Sequence, residues 1–181
     1  MQRYNPSISD SQARIAKFGL ECLFNETSKF LIYLIIFSLL SKTELFLLAT
    51  ASFWSFRAVA GGYHDETYFR CLITSFIVMT IIIFPSTLMP WSFELRVVLL
   101  IVALILSAIF APVDHPNKPI ISPIRRRNFK FLAISFVIIW GIISFFLNTQ
   151  LSSTIVNSIL IATIMLPAGL IANKIRLRKN L

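Results

Sequence analysis

Charge is scarce in this chain, and acidic charge scarcest: 8 Asp and Glu stand against 17 Lys and Arg in 181 residues. Charged residues amount to 14%, where soluble domains carry about 25%. Histidine and cysteine occur twice each and glycine five times. One cysteine and two separated histidines, even with Asp65, Glu66 or His115 as further ligands, match no usual zinc-ligand spacing, so no metal site is expected. No groove-reading module accompanies the net charge of +9, which excludes nucleic acid as the first reading of that charge. No apolar stretch with a small-residue cleavage site follows the polar residues 1–10, so the first span itself is expected to direct insertion.

What fills the chain instead is apolar. Hydrophobic residues make up 56% and mean hydropathy is +0.78, the composition of an integral membrane protein. A span needs about 20 mostly apolar residues. Tyr68–Met89, Phe93–Ala111, Phe129–Leu147 and Ser152–Ala172 satisfy this directly, with Pro85 and Pro167 near the ends of theirs. The run from Phe30 to Phe56 is divided by Ser41-Lys42-Thr43-Glu44. One tilted helix through it would hold two charges near mid-membrane at roughly 2.5–3.5 kcal/mol each. A hairpin is preferred, with one span beginning near Thr27 and the next running from Glu44 to Val59.

The expected fold is therefore an all-α, six-span helical bundle. It is read as one membrane domain over 1–181: an amphipathic segment at 1–26, the spans within 27–172, and a basic tail at 173–181. In the first segment Ile15, Phe18 and Cys22 recur at helical spacing opposite Arg14, Lys17 and Glu21, the pattern of a helix lying on the inner leaflet. Basic residues alternate between connections: Arg57 and Arg70 mark the second, Lys118 to Lys130 the fourth, and Lys174 to Lys179 the tail. The positive-inside rule then places both termini and the 57–71 connection in the cytoplasm of a multi-pass protein.

That connection, Arg57-Ala-Val-Ala-Gly-Gly-Tyr-His64-Asp-Glu-Thr-Tyr-Phe-Arg-Cys71, concentrates the reactive groups. A cysteine attacks as thiolate, and a helix N-terminus, a neighbouring cation or a paired imidazole favours that form. Asp65 or Thr67 is placed to cap the next helix, Arg70 adjoins Cys71, and His64 lies just before the cap. On one continuous helix, the seven-residue spacing from His64 to Cys71 would align them within about 20° yet separate them by roughly 10 Å. Proton transfer needs about 2.6–3.2 Å. The chain must therefore break between them, with His64 non-helical or terminal, and Gly61-Gly62 supplies a flexible place just upstream from which His64 can fold back over the helix start.

Each residue has a plainer reading beside this one. Cys71 fits a bundle interior, Cys22 fits packing or lipid contact, and His115 fits a loop. Glu21 suits an ion pair with Lys17 or an orienting carboxylate for His64. Arg57 suits a topological anchor or a carboxylate binder, and Arg125-Arg-Arg127 with Lys130 suits lipid headgroups or an acidic peptide. A non-enzymatic small transporter or scaffold is the competing class, although the clear spans hold almost no charge.

At Arg57, Gly62, His64 and Cys71 the pattern resembles the AgrB family of membrane cysteine endopeptidases. The loop Ala111-Pro-Val-Asp-His-Pro-Asn-Lys-Pro-Ile120 with its basic cluster, and Phe18-Gly-Leu-Glu21, resemble the same family. The resemblance implies a cytoplasmic cut in an AgrD-like quorum-sensing propeptide by Cys71, with His64 as base and then acid. Ring closure to a thiolactone or lactone signal would follow. It further implies contact with the lipid bilayer, a homodimer, and no cofactor.

Overall fold

The computed structural model describes residues 10–62, 67–114 and 120–179; side chains are described at 20 and from 23 onward within these, apart from 176, 177 and 179. The described chain is all-helical: α1 (Asp10–Leu39), α2 (Thr43–Ala60), α3 (Tyr68–Leu88), α4 (Phe93–Phe110), α5 (Pro123–Phe145) and α6 (Thr149–Lys179). It divides into two compact units, 1–41 and 42–181.

The first unit is α1 and its terminus. The expected boundary between an amphipathic segment and a first span near Thr27 is absent from the backbone, which runs as one helix of 30 residues. Lys29 pairs with Glu26 one turn earlier, so two charges at the expected boundary satisfy each other within the helix. The side chains that would carry the amphipathic pattern fall outside those described. The helix stops at Leu39, and Ser41 takes φ 55° while its N–H donates to the Ser38 carbonyl, the left-handed stop usually given to glycine. A single helix from Phe30 to Phe56 is thereby excluded.

In the second unit, helix starts follow local capping chemistry. Thr67, Ser92 and Ser122 each accept a hydrogen bond from the N–H three residues ahead, opening α3, α4 and α5. Ser122 with Pro123 starts α5 six residues before the expected Phe129, drawing the arginine cluster into the helix. The basic residues of the expected tail are likewise helical as far as Lys179. Helix α6 continues through Pro167 to Lys179, because Lys and Arg favour helix and their charge suits a helix C-terminus. Pro167 is thus interior to its helix, as membrane helices tolerate when neighbouring groups re-satisfy the backbone.

Helices α3, α2, α5 and α4 form a row in that order, and α6 packs against all four. Four helices are long and apolar enough to cross a membrane: α3, α4, α5 and α6 as far as Ile175. Half of the α6 window is buried, against 17–22% in the others, so α6 is the centre and the rest face outward. Ile73, Ile77 and Ile81 on α3 and Val98, Ile101 and Ile105 on α4 form exposed apolar stripes, surfaces suited to lipid.

Lipid tails are as apolar as leucine, so helices in a bilayer associate through close packing and hydrogen bonds. The buried face of α6 accordingly carries Ser152, Ser153, Thr154, Asn157, Ser158 and Thr163. Ser158 Oγ donates to the Ala49 carbonyl of α2 at 2.8 Å. Asn157 Nδ2 donates to Ser86 Oγ (3.0 Å) and to the Ile82 carbonyl (3.3 Å) of α3, while its Oδ1 accepts from Trp91 Nε1 at 2.8 Å. Replacing Asn157 with Leu leaves the indole N–H and Ser86 short of partners. We expect a loss of about 1–2 kcal/mol, read as a lower thermal midpoint of the purified protein in detergent.

Candidate active-site end of the bundle

Two glycines govern how α2 ends. Gly61 has φ 72° and Gly62 φ 126°, both in the region that L side chains rarely adopt. The Gly61 N–H closes α2 on the Arg57 carbonyl at 3.0 Å. Its Cα face lies so close to the loop after α4 that an added Cβ would sit 2.2 Å from the Val113 carbonyl oxygen. The Val113 N–H donates to the Ala60 carbonyl at 2.8 Å, making a one-residue parallel bridge between Gly61 and Val113. The expected break in the chain at Gly61-Gly62 is present, and it is clamped to a second loop.

Arg57 lies one turn before that break. It is half-buried, its Nη1 donates to Met165 Sδ of α6 at 3.2 Å, and its guanidinium stacks on Phe53 at 5.4 Å. A Cβ on Gly62 would meet the Arg57 guanidinium carbon at 3.6 Å and the Met165 carbonyl at 3.5 Å. Arg57, Gly61 and Gly62 therefore come together against α6 and the α4–α5 loop.

Thr67 caps α3 by accepting from the Arg70 N–H at 3.4 Å, and the Cys71 N–H bonds the Thr67 carbonyl at 3.0 Å. Cys71 is the fourth residue of α3, half-buried, with Sγ 3.9 Å from Ser75 Oγ. This position is at the positive end of the helix dipole. Arg70 is exposed beside it. His64, Asp65 and His115 lie outside the described residues, as do the side chains of Glu21 and Cys22.

Sequence reasoning did not single out Asp114 or Asn173. Asp114 Oδ2 accepts from the Ile120 N–H at 3.2 Å and pairs with Arg126, while the Asp114 carbonyl accepts from Asn173 Nδ2 of α6 at 2.6 Å. Asp114 Oδ1 is buried without a hydrogen-bond partner among the described residues. Cations in the first turn of α5 oppose its dipole, and the Asp114 carboxylate offsets that for Arg126. No local pattern announces these contacts, because Asp114 and Asn173 are 59 residues apart.

Gly61→Ala is expected to cost roughly 1–3 kcal/mol from the backbone conformation alone, with the Val113 collision added. Gly141→Ala, which meets only the Leu100 side chain at 3.5 Å, should be near neutral. Thermal midpoints and membrane abundance of the two variants measure the contrast.

The profile of the family described as Accessory gene regulator B (AgrB) matches residues 1–166. A putative AgrB-like protein of Clostridium beijerinckii is 27% identical over 90% of this chain and 81% of its own length. A second, from Lactiplantibacillus plantarum, is 27% identical over 90% of this chain and 82% of its own length. Accessory gene regulator protein B of Staphylococcus carnosus is 30% identical over 83% of this chain and 79% of its own length. No solved structure matches. With the family profile spanning residues 1–166 and these relatives each covering more than four fifths of the sequence, the chain belongs to the AgrB family, membrane proteins of accessory gene regulator quorum sensing linked to the AgrD propeptide pathway.

Proposed function

We propose that this protein is a membrane-embedded cysteine endopeptidase that cuts an AgrD-like propeptide at the cytoplasmic face. The observation that carries the reading is the placement of Cys71 in the first turn of α3, directly after the Gly61-Gly62 break, at the bundle end that gathers Arg57, Arg70 and Arg125–Arg127. Family membership supplies the substrate class.

In this mechanism the Cys71 thiolate attacks the scissile carbonyl carbon, forming a C–S bond and a tetrahedral oxyanion. His64, protonated by taking up the thiol proton, returns it to the departing amine as the C–N bond breaks, leaving a thioester on Cys71. A thiol or hydroxyl within the bound peptide then attacks that thioester and gives its proton to His64. The Cys71 thiolate departs and a thiolactone or lactone ring closes. Arg57 and Arg70 offer positive charge to an acidic propeptide tail, and Gly61-Gly62 lets the chain turn back ahead of α3.

Cys71→Ser and His64→Ala should each reduce cleavage of the cognate precursor by at least about 100-fold, with membrane levels unchanged; full activity in either variant would sink the dyad. Cys22→Ala should leave cleavage intact.

The same reading has α1 and α2 crossing the membrane as well, for six spans with both termini inside. Glu44 and Arg57 sit in the first and last turns of α2, leaving its centre apolar. A cysteine replacing Lys42 should be labelled by a membrane-impermeant maleimide added outside cells, and protection there would remove the six-span arrangement.

A further inference from the structure

At the end of the bundle opposite Gly61, one cation is buried where the chain offers it little. Arg96, in the first turn of α4, is only 9% exposed. Its Nη1 donates to Ser152 Oγ in the first turn of α6, its guanidinium lies 5.9 Å from the Phe93 ring centroid, and its Nε is buried with no acceptor. Among the described residues no carboxylate pairs with it. Glu94 is exposed in the same first turn.

Glu94 lies within electrostatic reach of Arg96, and α3 and α5 end at the same face, but no carboxylate among the described residues contacts the guanidinium. Two long helices, α4 and α6, begin here, and helix N-termini attract anions. The adjacent hydroxyl and amide groups are committed: Ser153 Oγ accepts from the Trp91 N–H at 2.9 Å, and Asn157 is shared among Trp91, Ser86 and Ile82. A guanidinium within a membrane helix is normally paired or turned to an anionic interface, because an unpaired buried charge is costly.

The rim of the site is greasy. Leu88, Met89, Phe93 and Phe146 are each more than half exposed, and Phe93 stacks on Phe145 with centroids 5.5 Å apart. A ligand suited to this place carries negatively charged oxygens beside hydrocarbon. We propose that Arg96, with the N-termini of α4 and α6, binds the phosphate of an anionic phospholipid, whose acyl chains lie along the exposed apolar side chains of α3, α4 and α5. A guanidinium fork matches phosphate oxygens in geometry as well as charge. The proposal is independent of the cysteine chemistry at the other end.

The full chain, purified in neutral detergent, is titrated with phosphatidylglycerol, phosphatidylcholine or glycerol 3-phosphate. Retained lipid is counted by native mass spectrometry, and the thermal midpoint is followed in parallel. Wild type should retain phosphatidylglycerol in preference to phosphatidylcholine and gain thermal stability from it. Arg96→Gln should weaken that retention about tenfold. Arg96→Lys, which keeps the charge without the fork, should fall between the two and covers the case of a poorly folding Gln variant. Equal retention by wild type and both Arg96 variants overturns the site. Equal stabilisation by glycerol 3-phosphate overturns the lipid as its occupant, and equal retention of phosphatidylcholine overturns the requirement for an anionic headgroup.

Discussion

A bilayer gives apolar helices no reason to prefer one another to lipid, and the architecture of the second unit follows from how α6 supplies one. Its buried face is polar and small where the outward faces of α3 and α4 are Ile and Val. Ser158 reaches the α2 backbone and Asn157 reaches α3 and the α3–α4 link, while Ser152 meets α4. Each is a directional contact that a lipid chain cannot replace. One helix thus ties three others by hydrogen bonds, while α5 is bonded to α2 through Trp140 Nε1 and Ser55 Oγ.

That arrangement bears on the Gly61 end because the C-terminal half of α6 is tied to the groups around it. Met165 and Asn173 hold Arg57 and Asp114, and Asp114 adjoins the Val113 backbone that clamps Gly61. A flexible pair of glycines would by itself leave the approach to Cys71 loosely defined. The clamp turns that flexibility into a fixed change of direction, since Gly61 is caught between the end of α2 and the Val113 carbonyl with no room for a side chain. Precision at a catalytic site depends on such supports as much as on the reacting groups.

The spans were legible because hydropathy is a property of contiguous residues: α3 and α4 begin and end within a residue of where apolar runs place them. The break near Lys42 was legible for the same reason, since two charges in a run are visible without a partner. Helix ends beyond the apolar runs were not. The Ser122-Pro123 start of α5 and the basic extension of α6 depend on capping and dipole effects that hydropathy ignores. At the candidate site, the glycine break and the position of Cys71 behind a Thr67 cap followed from local arithmetic. The Val113 clamp, the Asp114 pairing with Arg126 and the Met165 contact join segments distant in sequence, and periodicity carries no information about them.

The two ends of the second unit handle positive charge in opposite ways. At the Gly61 end the cations are numerous and lie at a surface: Arg70 and Arg125–Arg127 are exposed. Such charges are cheap to solvate, and Arg126 among them is paired with Asp114. At the other end Arg96 is withdrawn into the packing beside two helix N-termini, where solvation is lost and the dipoles oppose it. The same residue type is therefore an exposed cation at one face and a buried donor at the other. A surface cation tolerates many partners, whereas a buried guanidinium held by Ser152 accepts only a group that brings anionic oxygens to it.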